Sequence, residues 1–282
     1  MTRRLVQVFL AAIFVFAWTV PASADEAGAY YRKGRGLEEQ GKLEAAIDAF
    51  RDAVKANPNH VAAWAALGSA YKDTHQYKKA VGAYEKATAI DGDSADLWSR
   101  LGMAYYRAGD KNSAVKALAK ACHLDPKDAS IQANLGAIRR QAGQIKRAIR
   151  HLEWAVKLAP KEPLYLNNLG VAYRMDGRMA DAEDAIRRAI AINPNVAKFH
   201  FNLAVIYRRQ EKVDEAIAAY NEATRLDPRM AEAWYDLGHM YRLNHDNKKA
   251  VWAFETYLKL TAGKNAAADK RVRHEIEELK KR

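Results

Sequence analysis

Residues 231–264 read AEAWYDLGHMYRLNHDNKKAVWAFETYLKLTAGK. The first half of this stretch places four residues on one face of a helix, at i, i+3, i+4 and i+7: Trp234, Leu237, Gly238 and Tyr241. The second half carries Ala250 and, four residues later, Phe254. The stretch therefore predicts two helices that form a hairpin. The apolar faces of this hairpin are too large to be buried by the hairpin alone.

The same pattern recurs every 34 residues. Aligned on this period, the chain divides into seven repeats without insertions: 27–60, 61–94, 95–128, 129–162, 163–196, 197–230 and 231–264. Counted from the start of each repeat, position 8 is glycine or alanine and position 20 is always alanine. A proline recurs in register at Pro58, Pro126, Pro160, Pro194 and Pro228. This period predicts stacked hairpins, each of which is stabilised mainly by its neighbours.

These residues closely resemble the tetratricopeptide-repeat pattern, in which Trp, Leu, Gly and Tyr precede Ala, a large apolar residue and Pro. The resemblance covers residues 27–264. It implies an all-α fold, a right-handed superhelical solenoid of seven helical hairpins. Residues 265–282 place Val272, Ile276 and Leu279 at i, i+4 and i+7, which predicts a C-terminal capping helix.

Residues 1–24 have the organisation of a signal peptide. Arg3 and Arg4 precede an apolar run, and Ala22-Ser23-Ala24 offers small residues for cleavage. We therefore expect a periplasmic or secreted protein that begins at Asp25. Both Sec and twin-arginine export fit this leader, and an uncleaved N-terminal anchor is the alternative. Since no second long apolar run follows, we expect the cleaved chain not to be an integral membrane protein.

The formal net charge is +12, or +10 without the two arginines of the leader. Such an excess favours acidic partners, which include acidic proteins, anionic membrane surfaces and polyanions. The single cysteine, Cys122, cannot form an intramolecular disulfide, and we expect it to be a small buried residue on a helix.

Two rows of polar residues lie on the first helices, on the side opposite the predicted packed face. Position 6 is Asn134, Asn168 and Asn202 in repeats 4 to 6. An amide offers both a donor and an acceptor, which suits the backbone of an extended peptide. The row resembles the asparagine ladder in the repeat domain of O-linked N-acetylglucosamine transferases. That resemblance implies peptide binding, and solvated surface is the alternative.

Position 12 is arginine in repeats 4 to 7: Arg140, Arg174, Arg208 and Arg242. Arginine binds carboxylates and phosphates in a bidentate manner. The alternative is that these cations only stabilise the last turn of each helix, where the helix dipole favours positive charge. We predict that the asparagine and arginine rows together form the ligand-binding site.

No catalytic motif, phosphate-binding loop or metal-ligand spacing is found in the sequence, and the repeats leave no segment for a catalytic domain. We therefore predict no enzymatic activity, no cofactor and no metal. The predicted function is an exported scaffold that holds an extended peptide or a partner protein in a concave groove, in envelope assembly or secretion.

Two alternatives stay open. The basic groove could bind an anionic polymer, either a nucleic acid or an acidic polysaccharide, and of these nucleic acid is disfavoured. Alternatively, the chain is a non-catalytic accessory subunit of an envelope enzyme. A polymer-binding protein should show a steep salt dependence and little sequence preference, whereas a peptide scaffold should prefer one partner.

Overall fold

The computed structural model describes residues 22–262 and 266–281, and all regular secondary structure in these ranges is helical. The chain splits into two compact units, Met1–Ile90 and Asp91–Arg282. The N-terminal unit contains α1 (Ala22–Glu39), α2 (Leu43–Ala56), α3 (Val61–Asp73) and α4 (Tyr77–Ile90). The C-terminal unit contains eleven described helices: α5 (Ala95–Arg107), α6 (Lys111–Leu124), α7 (Ala129–Gln141), α8 (Ile145–Leu158), α9 (Pro163–Met175), α10 (Met179–Ile192), α11 (Ala197–Arg209), α12 (Val213–Leu226), α13 (Ala231–Leu243), α14 (Asn247–Thr261) and α15 (Ala266–Lys280).

Consecutive helices pair into hairpins, from α1 with α2 to α13 with α14. Within the C-terminal unit each hairpin also contacts the next, as α6 does α7 and α8 does α9. The predicted all-α fold of stacked hairpins is confirmed. Among the described residues, no helix is both long and apolar enough to cross a membrane.

The two helices of a hairpin lie close together at position 8. A Cβ added to Gly102 would lie 2.6 Å from Leu118 Cγ and 3.2 Å from the backbone oxygen of Ala114. At Gly136 the corresponding distance to Leu152 Cγ is 2.7 Å. The alanine at position 20 is 0% exposed in every repeat. Small residues at these two positions therefore allow the large residue at position 24 to fill the space between the helices.

The turn within each hairpin uses one left-handed residue, at position 15. Four repeats have glycine there, at Gly41, Gly109, Gly143 and Gly177, with φ between 73° and 91°. The other three have His75, Glu211 and His245, with φ of 60°, 61° and 58°. A glycine at this position is a sequence signal for a helix end, and the other three repeats lack that signal. His75, Glu211 and His245 nevertheless adopt the left-handed conformation, at the energetic cost that a Cβ imposes there.

The helix α1 begins at Ala22, five residues before the predicted start of the first repeat at Ala27. Pro21 precedes this helix, and no glycine or proline lies between Ala22 and Ala27, so the helix can extend in the N-terminal direction. The predicted cleavage site after Ala24 therefore lies in the first turn of α1. The rest of the predicted leader, residues 1–21, lies outside the described residues.

The end of the chain forms the helix that the apolar spacing predicted. In α15 the side chains of Val272, Ile276 and Leu279 are buried in the same core as the hairpins before it. The tryptophan at position 4 is buried to different degrees in different repeats. Trp98 is only half-buried, although its indole Nε1 donates to the oxygen of Gly92 (2.8 Å) just as that of Trp234, which is 8% exposed, donates to the oxygen of Pro228 (3.0 Å).

Candidate functional site

The predicted ligand-binding residues lie on four first helices of the C-terminal unit. The helix α7 carries Asn134 and Arg140, α9 carries Asn168 and Arg174, α11 carries Asn202 and Arg208, and α13 carries Arg242. At position 6 of α13 the asparagine row is replaced by Asp236.

The ion pair between Arg208 and Asp236 shows how the two rows meet. Arg208 Nη1 lies 2.7 Å from Asp236 Oδ1, so position 12 of one repeat faces position 6 of the next. By residue number, Asn168 and Asn202 hold the corresponding position for Arg140 and Arg174. In the structure Arg140 Nη1 lies 4.0 Å from Met175 Sδ, at position 13 of the next repeat. The direct contact between the two rows is therefore the Arg208–Asp236 pair.

The two arginines nearest the C-terminus are neutralised within the chain. Asp236 is bound by Arg208 and also accepts a hydrogen bond from the hydroxyl of Tyr220 (3.0 Å). Burial, together with the charge of Asp236, raises the pKa of Tyr220, so this hydroxyl remains a donor. Arg242 Nη1 lies 2.7 Å from Glu275 Oε1 of α15. Neither arginine presents an uncompensated charge.

The other two arginines have no such partner. Among the described residues, no carboxylate forms an ion pair with Arg140 or Arg174, and the buried Nε atom of each lacks a hydrogen-bond partner. Burial lowers the pKa of both guanidinium groups. Both remain cationic at neutral pH, because a guanidinium ordinarily titrates above pH 12. Two half-buried positive charges thus stand side by side with unused donors.

A second register adds a further cation. Position 12 of one repeat also meets position 13 of the next, as Tyr106 shows by donating to Gln141 Oε1 (2.9 Å). At the same spacing Arg174 is opposite Arg209. After burial, Arg209 is the largest cause of the lowered pKa of Arg174, followed by Arg140 and Arg208. Like charges so placed favour binding of an anion between them.

The asparagines are not equivalent. Asn134 and Asn168 are half-buried, so part of each remains accessible. Asn202 is only 6% exposed, and its Nδ2 donates to Asn167 Oδ1 (2.7 Å). Asn167, at position 5, was not among the predicted site residues, and its only sequence signal was an asparagine beside Asn168. The amide of Asn202 therefore joins two helices of the solenoid.

Repeat 4 contains a polar cluster that sequence reasoning missed. Its positions 4 and 11 are Gln132 and Arg139, where aromatic residues are expected. His151 from α8 lies between them, with Nδ1 2.7 Å from Gln132 Oε1 and Nε2 3.0 Å from Arg139 Nη1. Burial, helped by Arg139 and Arg150, lowers the pKa of His151 to about 4. The imidazole is therefore neutral at physiological pH, so one ring nitrogen can donate to Gln132 Oε1 while the other accepts from Arg139.

The described residues contain neither a cluster of metal-ligating side chains nor an activated cysteine. Within the described ranges, no three histidine, cysteine, aspartate or glutamate side chains are grouped to hold a metal ion. Cys122 is buried, as expected, and burial raises the pKa of its thiol to about 11. The thiol is protonated at neutral pH and is a poor nucleophile.

Comparison with known families and structures agrees with this architecture. The family model described as the C-terminal domain of cilia and flagella-associated protein 70, a tetratricopeptide-repeat model, matches residues 17–233. A second model, described as tetratricopeptide repeat, matches residues 201–267. A search of curated proteins found no match.

Many solved structures are similar. The crystal structure of the MamA protein is 26% identical, with a TM-score of 0.57, and the match covers 62% of this chain and 95% of that one. A tetratricopeptide repeat protein from Parabacteroides merdae is 15% identical, with a TM-score of 0.71 and coverage of 90% and 99%. YrrB, described as having an unusual peptide-binding site, is 22% identical, with a TM-score of 0.55 and coverage of 60% and 88%. The last two show the fold alone.

Proposed function

The chain belongs to the tetratricopeptide-repeat family, in the group whose family model is described as the C-terminal domain of cilia and flagella-associated protein 70, and on this premise we propose that it is an exported scaffold for an acidic peptide or protein segment. Tetratricopeptide-repeat folds are typically non-catalytic and serve protein–protein interaction. The proposal includes the division into seven repeats over 27–264 and the leader that directs export to the periplasm or beyond it.

The observation that carries this proposal is the pair of uncompensated arginines, Arg140 and Arg174. A half-buried cation has lost part of its hydration, and without a counter-ion this desolvation cost is not offset. Binding of an anion would offset it. A carboxylate can accept two parallel hydrogen bonds from each guanidinium. We therefore place the acidic side chains of the ligand beside Arg140 of α7, Arg174 of α9 and Arg209 of α11.

The asparagines would bind the main chain of the same ligand. Asn134 and Asn168 each offer a donor and an acceptor beside the arginines, the pair of groups that an extended backbone requires. Asn202 is left out of this role because its amide is already bonded to Asn167. The proposed site is therefore shorter than the seven-residue site that the sequence predicted, and is centred on repeats 4 and 5.

Selection from a random peptide library tests this site directly. Peptides selected on the wild-type protein should be enriched in Asp and Glu, and a capped hexaglutamate peptide should compete with them. The double variant Arg140→Gln/Arg174→Gln should lose this binding. Arg147→Gln/Arg229→Gln removes the same charge at exposed positions of other elements and should retain it. Selection without acidic enrichment, or equal loss in both double variants, would contradict the proposal.

The same proteins test the polymer alternative, which the net charge of +12 keeps in view. Heparin or random-sequence DNA bound by the whole basic surface should respond to salt steeply and to both double variants alike. A peptide held by two arginines and two amides should respond to one variant and retain measurable binding in salt.

Export itself is tested by N-terminal sequencing of the native protein. Asp25 is the expected first residue, and Met1 or Thr2 would contradict cleavage.

A further inference from the structure

The N-terminal unit contains an open cleft of about 850 Å³ between α2, α3 and α4. Its apolar wall includes Trp64 and Tyr71 of α3, and its floor includes Gly82 of α4. The lining residues of α3 come from its packed side, Trp64, Leu67 and Tyr71, so within this unit the cleft is separate from the predicted groove positions of α3. It also lies outside the C-terminal unit that carries the arginine row.

The cleft is open because position 22 of repeat 2 is a glycine. A Cβ added to Gly82 would meet no atom within 4 Å. In repeat 7 the same position holds Trp252, whose ring stands edge-on to Trp234, with centroids 4.8 Å apart and an interplanar angle of 90°. Under this cover Trp234 is 8% exposed, whereas Trp64, its counterpart in repeat 2, is only half-buried.

A hydrogen bond that ties neighbouring hairpins together elsewhere is also absent here. The tyrosine at position 11 is bonded to position 25 of the preceding repeat in repeats 5 and 7, where Tyr173 donates to Glu153 (2.7 Å) and Tyr241 to Asn221 (3.0 Å). Among the described residues, the hydroxyl of Tyr71 has no hydrogen-bond partner. The residue at position 25 of repeat 1, Arg51, instead lies 3.5 Å from Asp48.

The rim of the cleft has more positive than negative charge. Arg51, Lys55 and Lys79 line it together with Asp48 and Asp52. Lys79 Nζ lies 5.5 Å from the centre of the Tyr71 ring, so one cation already stands over the aromatic wall. An incoming aromatic group next to a carboxylate would complement both the wall and this rim.

We propose that this cleft binds an aromatic side chain, best an indole, from a partner segment that also carries Asp or Glu beside it. The arrangement of Trp252 over Trp234 in repeat 7 is the template for the bound aromatic ring, which would stand edge-on to Trp64 and close to Gly82. The free hydroxyl of Tyr71 supplies a donor for a main-chain carbonyl of the segment. This site does not rest on the arginine row.

The variant Gly82→Trp tests the site, because it places in repeat 2 the residue that covers the equivalent surface in repeat 7. The change fits the open space and replaces a helix-interior glycine, so folding should be retained. Ala218→Trp is the matched control, since it introduces the same side chain at position 22 of repeat 6, where the alanine is exposed. The probes are capped Gly-Glu-Trp-Glu-Gly, its Trp→Ala form and its Glu→Lys form, titrated by calorimetry.

We expect the Glu-Trp-Glu peptide to bind wild type and Ala218→Trp alike, and to bind Gly82→Trp at least about tenfold more weakly, as follows from loss of an aromatic contact of this kind. The Trp→Ala and Glu→Lys peptides should bind weakly to all three proteins. Arg140→Gln/Arg174→Gln should bind the peptide like wild type, which separates this site from the proposed groove. Unchanged binding to Gly82→Trp, equal binding of the three peptides, or no binding to wild type would overturn the inference.

Discussion

In repeats 4 and 5 the arginine at position 12 pairs with no carboxylate of the described residues, whereas in repeats 6 and 7 it lies 2.7 Å from one. The sequence repeats the arginine, yet the surroundings give it two different roles. The ion pairs of Arg208 and Arg242 link α11 to α13 and α13 to α15. Among the described residues, Arg140 and Arg174 form no ion pair, and the buried Nε atom of each lacks a hydrogen-bond partner. A repeated residue therefore does not imply a repeated function, because the residues of the next helix determine whether the arginine is paired or left unpaired.

The largest effect is expected from breaking the paired half of the row. Asp236→Asn leaves Arg208 and the buried hydroxyl of Tyr220 without their anion. We expect a loss of about 2–3 kcal/mol in the free energy of unfolding, the cost of orphaning partly buried polar groups. Urea denaturation measures it, with Asp184→Asn, which removes an exposed carboxylate paired with Arg188, as the control. A loss no larger than that of the control would show that the pair does not stabilise stacking.

The second-largest effect is expected from acid, which should lower the free energy of unfolding through His151 of repeat 4. The pKa of His151 is lowered to about 4 in the folded chain, against 6.5 when unfolded. Between these values the unfolded state binds a proton that the folded state excludes, so stability falls as pH decreases from 6.5 towards 4. Since the group is only partly buried, we expect about 1–2 kcal/mol between pH 7 and pH 5. This pH-dependent loss should shrink in His151→Gln and persist in His123→Gln. An identical pH dependence in all three proteins would contradict the assignment.

Repeats 4 and 5 also differ from repeats 6 and 7 in the residue at which each hairpin turns. Repeats 4 and 5 turn on Gly143 and Gly177, whereas repeats 6 and 7 turn on Glu211 and His245 in the same left-handed conformation. Glu211→Gly should therefore stabilise the chain by about 1 kcal/mol, because glycine has no Cβ penalty there. Gly177→Ala should destabilise it by a similar amount, because a Cβ there meets no atom and only the backbone penalty applies. Changes of the same sign in the two variants would refute this explanation.

A smaller effect on stability, with a clear effect on binding, is expected from pairing the unpaired half. Asn168→Asp places a carboxylate opposite Arg140, as Asp236 stands opposite Arg208. We expect stability to rise by up to about 1 kcal/mol and hexaglutamate to bind about tenfold more weakly. Asn195→Asp adds the same charge at an exposed turn and should change neither. If Asn168→Asp bound hexaglutamate as strongly as wild type, Arg140 would not be part of the binding site.

The fold could be predicted from the sequence because each repeat restates the same packing rules. A small residue at position 8, glycine in six repeats and Ala204 in repeat 6, and alanine at position 20 suit the close approach of the two helices in every hairpin. The positions of Val272, Ile276 and Leu279 were enough to predict α15. Left-handed Glu211 could not be predicted, because its own preference is opposed and only the surrounding hairpin imposes the conformation.

The candidate site was predictable only as two rows. That Arg208 would find Asp236 depends on the register between helices of different repeats, which a pattern within one repeat does not contain. The burial of Asn202 against Asn167 has the same origin. Trp98 shows the limit for single residues, since position 4 is nearly buried at Trp234 and half-buried at Trp98, depending on what the second helix places over it.

The central claim is that the arginines of repeats 4 and 5 bind ligand and those of repeats 6 and 7 do not. The most direct measurement is the dissociation constant of the hexaglutamate peptide for two double variants of equal charge, Arg140→Gln/Arg174→Gln and Arg208→Gln/Arg242→Gln, at one salt concentration. We expect the first to bind at least about tenfold more weakly than wild type, and the second, compared at a temperature where it is fully folded, to change by no more than about twofold. Equal weakening in the two variants would show that net charge governs binding and that pairing does not, and would contradict the claim.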